Sequence, residues 1–176
     1  GYCNTASGTV STVSGGAFNS ASGTYSTVGG GICNTASAIY STVSGGQCNC
    51  ALGTYSTVSG GQTNCASTNC STVGGGRGNI ASGLGTIIGG GGFNTASGGY
   101  STITGGHDNC ASGISSTVGG GYCNTTSGIY STVSGGGRAK ASKYGEVAHA
   151  AGQFAQKGDA QHSVLVARRN TTDATV

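Results

Sequence analysis

Apolar and polar positions alternate in short bursts along this chain, and the bursts recur every fifteen residues. The unit is clearest at residues 31–45 (GICNTASAIYSTVSG) and 121–135 (GYCNTTSGIYSTVSG), and from Gly1 it repeats nine times to Gly135 without insertion or deletion. So strict a period marks a repeat architecture. Each unit splits into two half-turns, x-N-x-A-S-G and Y-S-T-V-x-G. Both are strand-like runs ended by Gly, which tolerates positive φ and so turns at little cost. Fifteen residues are too few for a pair of helices, and Gly at this frequency breaks helices.

Side chains alternate across an extended segment. Position four is Asn in all nine units: Asn4, Asn19, Asn34, Asn49, Asn64, Asn79, Asn94, Asn109 and Asn124. Position six is Ala in eight of nine, Thr126 excepted; position eleven is Ser in eight, Thr86 excepted; position thirteen is always Val or Ile. These four positions alternate so as to point inwards together. Positions three, five and ten vary and read as outward. Position twelve is Thr in eight of nine units (Thr12, Thr27, Thr42, Thr57, Thr72, Thr102, Thr117, Thr132) although it should face out. A β-branched ladder that favours strand is one reading, and a regular Thr array with a function is the other.

The pattern predicts an all-β chain, a parallel β-solenoid or β-roll of nine to ten 15-residue turns over residues 1–150. Residues 151–176 read as a C-terminal strand or connector to a further domain. Stacked turns stand about 4.8 Å apart, so nine turns make a rod roughly 43 Å long. Stacked Asn amides then hydrogen-bond from turn to turn, which satisfies a buried polar group worth about 1–3 kcal/mol when left unpaired. Ala and Val bury little apolar area per turn, so the coil is expected to lean on sister chains as well as on its own neighbours. Tyr25, Tyr40, Tyr55, Tyr100 and Tyr130, with Ile39, Leu84, Ile114 and Ile129 beside them, supply the expected seam of a homotrimer. If the rod binds a cell-surface glycan instead, the same tyrosines are the candidate contacts, because aromatic faces suit sugar rings.

Composition sharpens this reading. With 38 Gly but no Pro and no three-residue period, collagen is excluded. Charged residues make up only 6% of the chain, yet fixed columns of Asn, Ala and Val argue against low-complexity disorder. A net charge of +3 is too small and too localised to indicate nucleic acid. No apolar run approaches a membrane span and no signal peptide is visible. The chain contains no Met, which reads as a fragment or a processed product.

Before Gly137 the charged residues are Arg77 and Asp108 alone; Arg138, Lys140, Lys143, Glu146, Lys157, Asp159, Arg168, Arg169 and Asp173 follow. The register survives for a tenth, degenerate turn with Ala141 and Ala148 in the Ala and Val columns. Residues 162–168 (HSVLVAR) form the best ordinary strand, and Arg168–Arg169 after it reads as a solvated edge or a contact to a sister chain.

Chemistry finds little material. The eight Cys form no C-x-x-C, and no His stands near to complete a metal set. Cys33/Cys48 and Cys50/Cys65 lie on adjacent turns at a separation that disulfides span, about 4.4–6.8 Å between Cα atoms. Free thiols filling a ladder as small hydrophobes are the favoured reading. His107, His149 and His162 are scattered, and a glycan-cleaving carboxylate pair is missing. His107 and Asp108 read as a surface pair, GGRGN at residues 75–79 lacks a P-loop Lys-Ser/Thr, and GGHDN at 105–109 occurs once. No catalytic residue, metal or cofactor is expected.

The half-turns Ala6-Ser7-Gly8 and Val13-Ser14-Gly15 resemble the head repeats of YadA-like trimeric autotransporter adhesins, with a uniform period, an Asn column and an S-T-V segment in addition. Residues 144–175 (YGEVAHAAGQFAQKGDAQHSVLVARRNTTDAT) are similar to a segment of bacteriophage tail-fibre proteins that runs G-x-F-A-x-x-G-D-A-Q, a strand, then R-R-x-T-T-x-A-T. These resemblances imply a left-handed β-roll, a homotrimer, and a place on a virion or outside the cell. They imply a tail-fibre shaft or head that adheres to a host, with a surface glycan or protein receptor as partner and neither nucleic acid nor membrane insertion. The alternatives are a trimeric bacterial surface adhesin and an ice-binding or purely structural repeat protein using its Thr ladder.

Overall fold

In the computed structural model, which describes residues 1–152 and 155–165, the regular elements are all strands. Ten turns stack into a parallel solenoid. Positions five and six of each turn pair with the same positions of the next, as in Thr35↔Cys50↔Cys65 and Ala36↔Ala51↔Ala66. Positions twelve and thirteen do the same, as in Thr42↔Thr57↔Thr72 and Val43↔Val58↔Val73. The first set builds a ten-stranded sheet, and the second supplies ten strands of an eleven-stranded one. A third line of parallel bridges runs up position two, from Tyr2↔Ala17 to Tyr122↔Gly137.

Between the sheets lies a core two side chains wide. Ala at position six and Val or Ile at position thirteen are fully buried from the second turn onwards, with Ile88 and Ile103 the largest. Thr126, the one break in the Ala column, is buried as well, and its hydroxyl donates to Ser116 Oγ at 2.9 Å. Ser116, from the preceding turn, therefore absorbs the cost of the extra hydroxyl.

The Asn column does more than stack. Asn34 Nδ2 donates to Gly30 O at 2.9 Å and Gly46 O at 2.8 Å, and its Oδ1 accepts the backbone N–H of Asn49 at 3.0 Å. Each amide thus ties the corner of its own turn to the turns on either side. The line ends where Ala139 N donates to Asn124 Oδ1 at 2.8 Å, because Ala139 itself has no amide to pass on.

The strands in the body of the solenoid are only two residues long, and the cause is not glycine alone. Every described non-glycine residue with positive φ sits at position three or ten, from Cys3 (+51°) to Arg138 (+62°), and Gly78, Gly85 and Gly145 fill the remaining places in those columns. Left-handed geometry in an L-residue costs about 1–2 kcal/mol. It flips the peptide, so that Tyr25 N donates backwards to Thr9 O and Phe18 N to Tyr2 O, whereas strand amides such as Thr27 N donate forwards, to Ser41 O. The expectation that glycines make the turns is therefore corrected. Position-one glycines such as Gly31 (φ +87°) complete one corner, where a Cβ would collide with the Gly46 carbonyl. Position-fifteen glycines such as Gly30 (φ +150°) contribute as well, but most of the remaining turning falls to non-glycine residues at positions three and ten, Cys, Phe, Tyr and Val among them.

Towards the C-terminal end of the described residues the two sheets finish differently. Strand Val147–Gly152 continues the parallel sheet on Thr132–Gly136, and strand Ala160–Val164 then adds to it antiparallel, with Val147↔Val164 and His149↔His162 opposed. The strand expected at 162–168 is thus present over Ala160–Val164. Val166 and the Arg168–Arg169 pair lie outside the described residues. On the other sheet Lys140–Ala141 is the last strand among the described residues, and a side chain pairs with its outer edge: Lys140 N donates to Gln161 Oε1, and Gln161 Nε2 donates to Lys140 O, both at 2.7 Å. Lys157 Nζ reaches back to Thr125 Oγ1 at 2.7 Å.

Candidate interaction surfaces

Position ten sits at one corner of every turn, and its left-handed backbone aims each side chain out of the coil in the same direction. Tyr25, Tyr40 and Tyr55 consequently form a continuous stack, with ring centroids 5.0 and 5.1 Å apart and planes within 3° and 4° of parallel. Both faces of Tyr40 are covered by its neighbours, so this stack offers ring edges and hydroxyls to a partner rather than open faces. Tyr100 has Gly85 and Ser115 in place of a ring one turn away on either side and is 63% exposed. Its ring lies over Gly85, where a Cβ would meet Tyr100 Cδ1 at 2.9 Å. Tyr130 meets Tyr144 edge to face at 5.6 Å. Ile39, Leu84, Ile114 and Ile129 at position nine are exposed beside them, so apolar surface follows this corner along the rod. The five tyrosines singled out from the sequence therefore share one edge, and all are exposed in the single chain.

A second aromatic edge, which the sequence reading did not single out, follows positions two and three. Tyr2 meets Phe18 edge to face at 5.3 Å, Phe93 meets His107 at 5.4 Å, and the His107 ring lies 6.0 Å from Tyr122. Arg77 and Arg138 cover Phe93 and Tyr122 at 5.6 and 6.0 Å, cation–π contacts of modest strength at exposed sites. His107 Nδ1 lies 2.9 Å from Asp108 Oδ2, with both groups open to solvent as expected of a surface pair. Turn-to-turn stacking of aromatics at positions two and three was the available signal.

The Thr column forms an outward ladder on the eleven-stranded sheet, from Thr12↔Thr27 to Thr117↔Thr132, interrupted by Ile87. From Thr27 onwards these threonines are half-buried, each between a buried residue at position eleven and another at position thirteen. The opposite sheet presents position five, a mixed row of Thr, Ser, Cys and Ile.

The buried carboxylate of Glu146 escaped notice in the sequence. It replaces Ser at position eleven of the last turn, is 5% exposed, and accepts the backbone N–H groups of Ser142 at 2.7 Å and Lys143 at 3.0 Å. Burial alone would raise its pKa. The Lys143 and Ser142 amides, the Ser163 hydroxyl and the Lys143 charge outweigh it and hold the carboxyl below its ordinary value. Its role is to close the final turn, where Ser56 Oγ accepts the equivalent Gly53 N–H in an ordinary one.

Among the described residues no pocket opens, and no group of three or more His, Cys, Asp or Glu is placed to hold a metal ion. No described helix is long and apolar enough to cross a membrane. No protein-family model matches the chain, and no curated protein is similar to it. The surfaces themselves carry the functional reading.

Proposed function

We propose that the chain is a structural and adhesive appendage protein: a rigid spacer or head of the tail-fibre type, built as a homotrimer and working outside the cell or on a virion. The observation that carries this reading is the tyrosine edge. A solenoid whose core is limited to Ala, Val and Ile leaves Tyr25, Tyr40, Tyr55, Tyr100 and Tyr130 at 45–63% exposure along one corner, with Ile and Leu beside them. Isolated exposed apolar residues are ordinary, but contiguous apolar ribbons mark interaction sites. Sister chains associated through this edge would add the apolar burial that each thin coil lacks. The reading assigns no catalysis, and the second aromatic edge and the Thr face remain for contact with a host glycan or protein receptor. A trimeric surface adhesin of bacterial origin is the same reading in another setting. Solution mass tests the assembly, and protection of the tyrosines from solvent on assembly tests the edge.

A second reading rests on the Thr ladder. Hydroxyls repeated up the parallel sheet, from Thr12 to Thr72 and from Thr102 to Thr132, suit the binding of ordered water, as in an ice-binding protein. Thermal hysteresis in the wild type that disappears in Thr57→Lys supports it; its absence at millimolar protein removes it.

A further inference from the structure

Cys33, Cys48, Cys50 and Cys65 fall on three consecutive turns and form one strip of thiols around a corner. Cys33 and Cys48 occupy position three of adjacent turns with the same left-handed backbone, φ +57° and +55°, so their side chains leave the coil in parallel. Adjacent backbone amides run the same way at this corner, with Cys33 N donating to Ala17 O and Cys48 N to Ile32 O. Cys50 and Cys65 are direct partners across the parallel sheet. All four are free thiols, the first two exposed and the second two half-buried. None of the other four Cys has a thiol at the same position one turn away.

We propose that these two rungs, Cys33/Cys48 and Cys50/Cys65, are dithiolate clamps for a thiophilic monovalent cation of the Cu(I) class, one ion per rung. Soft thiolates select such ions. On the scale of a metal–thiolate bond, about 2.3 Å, two bonds in line span about 4.6 Å. That matches the spacing of adjacent turns, about 4.8 Å. Linear coordination needs no third ligand, which fits a surface where the described residues assemble no larger donor cluster. Ligation replaces the two thiol protons: two RSH and M⁺ give [M(SR)2]⁻ and two H⁺, with no change of oxidation state. A cation shared between the two sulfurs of a rung offsets the repulsion between the thiolates and so favours uptake by the pair over uptake by a single thiol.

The test is a Cu(I) titration of the fully reduced chain under anaerobic conditions, in the presence of a competing Cu(I) chelator, read by native mass spectrometry. Two ions retained by the wild type are expected, one by Cys33→Ser, one by Cys65→Ser and none by the double variant. Cys70→Ser is expected to keep both. Thr63 and Ser20 already occupy positions three and five, so hydroxyl side chains fit these columns. Wild-type uptake no greater than that of the double variant overturns the proposal. Rungs that close as disulfides, each two hydrogens lighter, in place of taking metal after reduction also overturn it.

Discussion

Gln161 completes Lys140 as a strand would: its side-chain amide accepts the Lys140 N–H and donates to the Lys140 carbonyl, both at 2.7 Å. An amide side chain carries the same donor and acceptor as a peptide, so it can terminate a parallel ladder without extending it. An unpaired edge invites further pairing, and this contact blunts it. In Gln161→Ala the Lys140 amide is expected to lose protection in hydrogen exchange by about tenfold or more, while Val73, several turns away, is unchanged. Equal protection in both proteins would show that the contact is dispensable.

Glu146 gives the last turn a pH dependence. Its folded pKa lies below its ordinary value, so it binds its proton less readily folded than unfolded. Its contribution is fully present above the unfolded pKa of about 4.3 and is lost as pH falls through the lower folded value. The last turn of the wild type is therefore expected to loosen on acidification below pH of about 4.3. Glu146→Gln should flatten this response, measured by hydrogen exchange of Ser142 and Lys143 as a function of pH.

The Asn line predicts a costly substitution at mid-rod. Asn64→Ala removes the acceptor of the Asn79 N–H and the donor to Gly60 O and Gly76 O. Buried groups left unpaired cost about 1–3 kcal/mol each. A loss of about 3–5 kcal/mol in unfolding free energy is expected, and about 1 kcal/mol or less for a change at the exposed end of the line, Asn4→Ala. Calorimetry of the two variants compares them directly.

Gly85 and Tyr100 should be energetically coupled. Gly85 has φ +63°, and a Cβ there meets the Tyr100 ring at 2.9 and 3.0 Å. Gly85→Ala adds left-handed strain of about 1–2 kcal/mol and a clash with the ring. In a Tyr100→Ala background only the strain remains. The double-mutant cycle is expected to show coupling of about 0.5–1.5 kcal/mol, and strict additivity would place the ring elsewhere.

Much of this architecture was legible in the sequence because identical residues stack on one another. Asn, Ala, Ser and Val at fixed positions define the inward face, and all four columns lie where alternation puts them. The turns were less legible. Cys33, Tyr40 and Phe93 are not turn formers, so their left-handed backbone is imposed by the coil around them. Gly78, Gly85 and Asp108, scattered in the same two columns, were the available hint, since these residue types tolerate positive φ. The cap was hidden for a different reason: Gln161 and Glu146 act once each, through tertiary contacts that no period announces. The five tyrosines do share an edge as their spacing implied, but the stacking that covers both faces of Tyr40 depends on rotamers that spacing does not encode.

Solution mass tests the central claim most directly. At micromolar concentration, native mass spectrometry or light scattering of the full chain is expected to give three chain masses, with the phenol side chains of Tyr40 and Tyr55 protected from solvent. A single chain mass under the same conditions, with those tyrosines open to modification, contradicts a trimer built on this edge.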